Sequence, residues 1–296
     1  MEKKQLEIWF AIDSRTDLCG YVAAHSILEN RSLESHTKIC IAYEFSTPPP
    51  AKWWNKKLAT AKKSFEIRHV PVCLEKLGKC KGVFDSKAAF IRILIPNYSE
   101  NNNIIYTDAD LLFLEDPENL LENNLMNNHS ISMVPSNLCG NRPHIEKELL
   151  LSCGKKLEDF YFNSGLALIN TDKYRSKRLS EKAMDFAEKN RSILPFHDQT
   201  IWNCIIEDAG ILDKKWCHYA YPKIKNKVEW NDGILHFVGS PKPWDLIGEL
   251  FHPYADTWYE AASKAGIVLP KISRYFKREY WKRAYRIRHQ YKSWLP

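Results

Sequence analysis

Asp108-Ala-Asp110 closes an apolar run, and His236 opens the stretch His236-Phe-Val-Gly-Ser-Pro-Lys-Pro-Trp244. Two carboxylates and one neutral imidazole, with positions left for phosphate oxygens, suit a hard or borderline ion such as Mn²⁺ or Mg²⁺. No thiolate stands inside either motif. Gly239 permits a tight bend, and Lys242 stands between Pro241 and Pro243. An ammonium held in so stiff a loop is suited to neutralising a diphosphate. Between these pieces lie Phe162-Asn-Ser-Gly165 and His197-Asp-Gln199. In this order, the four pieces describe a site for a divalent metal and a nucleotide diphosphate.

Each piece alone has a structural explanation. Paired aspartates also cap strand-to-turn junctions, and a histidine at a strand end is more often structural than a ligand. Phe162-Asn-Ser-Gly165 enters the apolar run Leu166-Ala-Leu-Ile169 and reads as a turn or as a glycine that admits a close ligand. Asn163 and Ser164 would then offer short polar groups to that ligand. Asp198 fits the N-cap of the following helix as well as a place in a cleft beside Gln199. Lys87 and Arg92 fall on one expected helix, where they reach an anionic site or face solvent.

These pieces need a sheet to position them. Expected strands cover residues 6–12, 37–45, 65–70, 104–107, 131–134, 165–169 and 234–238. Expected helices cover 22–28, 51–63, 86–95, 173–190 and 201–207. Their alternation in the first half predicts an α/β fold with a mostly parallel, Rossmann-like central sheet and helices on both faces. Asp108 then sits at the carboxyl end of a strand, where open α/β sheets bind ligands.

Composition sets the remaining bounds. At 296 residues, with 44% hydrophobic and 27% charged residues, the chain has enough apolar material for one large core. No stretch approaches the roughly 20 apolar residues of a membrane-spanning helix. The run from Leu6 to Ile12 is too short and too soon acidic for a secretory signal. The eight cysteines include no Cys-x-x-Cys pair, which suits buried, reduced thiols in a cytoplasmic compartment.

Charge is unevenly placed. Nine Lys/Arg against one Glu between Lys271 and Pro296 give +8, so the net +7 of the chain leaves residues 1–270 at −1. Phe276, Tyr280, Ala284, Ile287, Tyr291 and Trp294 recur at three- and four-residue steps through this tail. That is the pattern of a basic amphipathic helix on an anionic membrane surface. Docking on the protein's own body is the other use of such a helix, and nucleic acid is the weakest of the three partners. The expected division is a catalytic body over residues 1–265 and a membrane-attaching tail over 266–296.

The four blocks resemble retaining glycosyltransferase family 8, which includes bacterial lipooligosaccharide galactosyl- and glucosyltransferases and glycogenin. The likeness runs from about Leu6 to Trp244. It implies a GT-A fold, a UDP-sugar donor, a preference for Mn²⁺ and a glycan or lipid-linked glycan acceptor. By the resemblance, Asp108, Asp110 and His236 ligate the metal, while Gly239 and Lys242 contact the diphosphate. Asn163, Ser164, Asp198 and Gln199 lie around the transferred hexose, with Arg92 or Lys87 nearby, and Asp13 meets the uracil. Ala11, Arg15 and Ala109 complete the donor site. Thr16 and Phe84 depart from the family pattern, which leaves uracil binding and the donor sugar open. A catalytically silent UDP-sugar or membrane adaptor, or a nucleotidyltransferase, are the competing functions.

Overall fold

The computed structural model describes residues 5–32, 36–58, 63–74, 88–121, 125–190, 197–222, 227–245 and 248–268. The strands are β1 (Gln5–Ala11), β2 (His36–Glu44), β3 (Ser64–Val72), β4 (Asn103–Thr107), β5 (Leu111–Phe113), β6 (Ile131–Leu138), β7 (Phe160–Asn170), β8 (Gly210–Ile211), β9 (His218–Tyr219) and β10 (Ile234–His236). Seven of them form one sheet in the order β3-β2-β1-β4-β7-β6-β8. The pairings β1–β2, β1–β4, β2–β3 and β6–β8 are parallel, whereas β7 runs antiparallel to both β4 and β6. The expected mostly parallel α/β sheet is therefore present. Pro71, which lacks a backbone donor, lies in β3 at the sheet edge, the position where a strand tolerates it.

Alternation along the strands explains the two-sided core. Leu6, Ile8 and Phe10 of β1 join the cluster packed with Tyr21, Val22 and Ile27 of the helix Asp17–Asn30. Trp9 points the other way, with Cys40, Ala42 and Tyr106, onto Phe90 and Ile91 of the helix Ala88–Leu94. Each large side chain removed from water in this way contributes about 1.5–3 kcal/mol. Burial on both faces fixes the register, because a one-residue slip would exchange the two clusters.

The chain winds from β1 outward through β2 to β3, then returns to the other side of β1 as β4. The carboxyl ends of β1 and β4 thus flank a topological switch point, the crevice in which such sheets bind ligands. Asp13 follows β1 and Asp108 follows β4 there.

Among the departures from expectation are the unforeseen helices His144–Ser152 and Ala255–Lys264. The helix expected over 173–190 is two, Thr171–Ser176 and Leu179–Lys189, separated where Arg178 takes a left-handed φ of 53°. Tyr174 from the first piece and Ser180 from the second both donate to the Ile93 carbonyl, so the break lets both pieces dock on one turn. The helix expected from Ala51 begins at Trp54, since Ala51 itself has φ 64°. A second sheet, β5-β10-β9, was not foreseen. Its β10 falls within the strand expected over 234–238, whereas β5 and β9 have three and two residues, below the length at which alternation can be read.

Candidate active site

The second sheet is what brings His236 to the aspartates. His236 pairs with Leu111, directly after Asp110, and Phe237 donates its N–H to the Asp110 carbonyl at 3.0 Å. Asp108, at the end of β4, donates its N–H to the Gly165 carbonyl at 2.7 Å. As a result, one ligand atom from each of Asp108, Asp110 and His236 lies within 4.8 Å of the others. Gly165 forms the floor of this cradle. A Cβ there would lie 2.7 Å from His236 Cε1, 2.9 Å from Asn163 Oδ1 and 3.2 Å from Asp108 Oδ2. Two carboxylates and one imidazole so placed fit a divalent cation.

Gly165 is not at a strand entry, as the sequence suggested, but inside β7. Met133 pairs with Ala167 and the next residue, Val134, pairs with Asn163. Residues 164–166 are therefore extra on β7, an irregularity that bends the strand and re-aims its side chains. The bulge turns Asn163 and Ser164 toward the helix His197–Ile205. Gln199 Oε1 accepts from the Ser164 N–H at 3.2 Å and from Asn163 Nδ2 at 3.4 Å. Ser164 Oγ donates to Asp198 Oδ2 at 3.1 Å.

Arg92 joins the two halves of the site. Its Nη2 lies 2.7 Å from Asp108 Oδ1 and its Nε lies 3.0 Å from Asp198 Oδ2. Its Nη1 donates to the Ser164 carbonyl at 2.8 Å and to Ser164 Oγ at 3.0 Å. The guanidinium also stands over the Tyr106 ring, 4.8 Å from the centroid, while the Tyr106 hydroxyl donates to Asp108 Oδ1 at 2.5 Å. Asp198 is only 5% exposed and lies inside the first turn of its helix. Its carboxylate serves Arg92 and Ser164.

Lys242 Nζ reaches Asp110 Oδ2 at 2.6 Å and also donates to the Phe237 carbonyl. Its own N–H donates to Asp245 Oδ2 at 2.7 Å, and Gly239 has φ 74° in the same loop. Behind His236, Cys217 Sγ lies 3.4 Å from Nδ1, which leaves Nε2 facing Asp110 Oδ1 at 3.5 Å.

These contacts set the protonation states. Burial pushes the Asp108 carboxyl up to about 6, against the pull of Arg92 and with the push of Asp110. Burial acts the same way on Asp110, but Lys242 and His236 together hold it well below the usual carboxylate range. Burial lowers the His236 imidazolium, yet Asp110 and Cys217 outweigh it and raise the group to about 10. Lys242 and His236 both face Asp110, at 2.6 and 3.5 Å, and balance its charge.

The profile described as glycosyl transferase family 8 matches residues 9–248. The chain belongs to that family. Among curated relatives, this family-8 chain is 28% identical over 197 residues to general stress protein A of Bacillus subtilis, covering 60% of the chain and 65% of the relative. It is 25% identical over 185 residues to glycosyltransferase GlyE of Streptococcus pneumoniae, covering 58% of the chain and 40% of GlyE. It is 23% identical over 154 residues to lipopolysaccharide 1,2-glucosyltransferase of Escherichia coli, covering 48% and 44% respectively. The chain thus spans between 40% and 65% of the length of these relatives. The crystal structure of galactosyltransferase LgtC with donor and acceptor sugar analogs superposes with a TM-score of 0.71 at 16% identity, over 90% of this chain and 98% of LgtC. The fold is therefore GT-A-like.

In this family-8 protein the structure gathers Arg92, Asp108, Ala109, Asp110, Asn163, Ser164, Asp198, Gln199, His236 and Lys242 around the carboxyl end of β4 and the bulge of β7. Ala11, Asp13 and Arg15 occupy the adjacent end of β1, where Asp13 Oδ2 pairs with Arg15 Nη2 at 2.5 Å and Asp13 Oδ1 accepts the Thr16 N–H. Lys87 and residues 269–296 lie outside the described residues. Among the described residues, no helix is long and apolar enough to cross a membrane.

Four contributors were missed from sequence. Tyr106 was readable in principle, since it stands two residues before Asp108 on the same strand face. Cys217 carries no local signal, and neither do Tyr161, whose hydroxyl lies 3.2 Å from Gln199 Nε2, and Glu146, which accepts that hydroxyl's proton.

Proposed function

We propose that this protein is a metal-dependent, retaining hexosyltransferase that moves glucose or galactose from a UDP-sugar to a glycan or lipid-linked glycan acceptor. The observation that carries this is the convergence of Asp108, Asp110 and His236 within 4.8 Å, joined through Arg92 to Asp198. Asp108, Asp110 and His236 would hold Mn²⁺, with Mg²⁺ as the other fit. The ion, when bound, supplies positive charge against the diphosphate of the departing UDP.

The chain's own residues do the rest. Lys242, whose Nζ stands 2.6 Å from Asp110 Oδ2, would neutralise the diphosphate beside Gly239. Asp13, with Ala11 and Arg15, takes the uracil at the end of β1. Asn163, Ser164 and Gln199 face the hexose hydroxyls, and Arg92 keeps Asp108 and Asp198 in place. Lys87 remains a donor-side candidate on its sequence position alone.

Retention needs either a double displacement or same-face attack. Asp198 is buried against Arg92 and Ser164, and a carboxylate so paired is a weak nucleophile. This supports same-face attack, in which a β-phosphate oxygen takes the acceptor's proton. The basic aromatic tail after residue 265 would hold the enzyme on the inner face of an anionic membrane, where a lipid-linked acceptor is presented.

The test is UDP release from a panel of UDP-sugars, with Mn²⁺ and with EDTA. Metal-dependent release from one donor is expected. UDP binding without release for any donor or acceptor would instead favour the silent adaptor, and no UDP binding would end the proposal. Truncation near residue 268 should abolish binding to anionic liposomes.

A further inference from the structure

Behind Gln199 lies a buried polar chain that the reaction does not touch. Glu146, on the helix His144–Ser152, is wholly buried. Its Oε1 accepts from the Tyr161 hydroxyl at 2.5 Å and from Thr200 Oγ1 at 2.8 Å, and its Oε2 accepts from Arg142 Nε at 2.7 Å. Arg142 also covers the Tyr161 ring, 4.2 Å from its centroid. Gln199 Nε2 lies 3.2 Å from the Tyr161 oxygen.

The direction of each bond follows from proton count. An ionised carboxylate only accepts, so the single Tyr161 proton goes to Glu146. The Tyr161 oxygen must then act as acceptor toward Gln199, and only the Nε2 end of that amide donates. From the other side, the Ser164 backbone N–H is a fixed donor 3.2 Å from Oε1. Asn163 is fixed likewise, because its Oδ1 takes the Gly165 N–H at 2.9 Å and leaves Nδ2 for Gln199 Oε1. Two independent sets of donors and acceptors therefore agree on one orientation of the amide. Burial and the Glu146 charge also hold the Tyr161 hydroxyl far above its ordinary pKa, so Tyr161 keeps the proton it donates.

We propose that Glu146 and Tyr161 are positioning residues that lock the Gln199 amide with its nitrogen turned into the protein and its oxygen toward the bulge of β7. The proposal rests on the placement of Gln199 beside the transferred sugar under Proposed function. An amide free to turn would present a donor where the site is built around an acceptor. A misplacement of that kind costs up to about 100-fold in rate.

The experiment uses the full chain and Tyr161→Phe, which removes one hydroxyl and leaves Glu146 its bonds to Thr200 and Arg142. Expected is a fall in kcat of about 10- to 100-fold with the UDP-sugar KM within about twofold. In a Gln199→Ala background the same change should cost nothing further, because residues acting as a unit are not additive. A kcat left unchanged, or the same factor lost in both backgrounds, would overturn the proposal. A second readout does not depend on turnover. The Gln199 side-chain amide resonances, assigned by their loss in Gln199→Ala, should shift in Tyr161→Phe, and unmoved resonances would also overturn it. If no UDP-sugar is turned over by the wild type, the functional proposal fails while the resonances still decide this one. Should Tyr161→Phe not fold, Glu146→Gln carries the same readouts.

Discussion

Arg92 and Asp198 form an ion pair of 3.0 Å that ties the helix bearing Gln199 to the strand end bearing Asp108. Both partners are buried, at 7% and 5% exposure, and the same guanidinium neutralises Asp108. One side chain therefore sets the distance between the metal-side and sugar-side halves of the cleft.

Removing Arg92 should damage stability and activity together. Arg92→Ala leaves two carboxylates without their cation, and breaking a buried pair in this way costs about 3–5 kcal/mol. Arg92→Lys keeps the charge but loses the fork that spans Asp108, Asp198 and Ser164. It should recover part of the stability in a denaturant titration and little of the activity. Equal stability of Arg92→Ala and wild type would refute the bridging role.

Gly165 is required by close approach rather than by its φ. A Cβ there would meet His236 Cε1 at 2.7 Å, so either the ring or the strand must move. Gly165→Ala should weaken Mn²⁺ binding by more than about tenfold, as loss of ligand orientation does, while the circular dichroism spectrum is retained. Unchanged metal affinity would show that the cradle has slack.

Cys217 holds the ring of His236 from behind, with Sγ 3.4 Å from Nδ1. Removing such a partner typically costs 10–100-fold in metal affinity. Calorimetry should find about that loss in Cys217→Ala and a smaller one in Cys217→Ser, which keeps an acceptor. Identical affinities across the three proteins would leave the sulfur without a role at the metal.

Metal binding should release protons. His236, raised to about 10 by Asp110 and Cys217 against the effect of burial, is protonated at neutral pH and must lose its proton to bind a cation. Affinity for Mn²⁺ should thus rise about tenfold per pH unit between pH 6.5 and 8. Toward pH 6 the fall steepens, because burial also brings Asp108 into its titration range at about 6. Titrations in two buffers of different ionisation enthalpy measure the proton directly. A pH-independent affinity would contradict these protonation states.

Much of the site was legible because its pieces are local motifs. Asp108-Ala-Asp110, Phe162-Asn-Ser-Gly165, Asp198-Gln199 and His236 each announce themselves within a few residues, and the family they resemble is the family to which the chain belongs. The alternating pattern gave the parallel sheet because both faces are covered by helices. What stayed hidden depends on pairing across long separations. The β7 bulge exists only as a mismatch with β6, and β10 meets β5 through three residue pairs. The kink at Arg178 has neither Gly nor Pro to mark it. Glu146 and Cys217 act through partners 15 and 19 residues away, with no motif to join them.

The most direct test of the metal-dependent transferase is UDP release by wild type, Asp108→Ala and His236→Ala, each with Mn²⁺ and with EDTA, alongside thermal denaturation. Wild type should release UDP from one hexose donor only with the metal, and both variants should remain folded and silent. Mn²⁺-dependent turnover retained by either folded variant would contradict the assignment of the site.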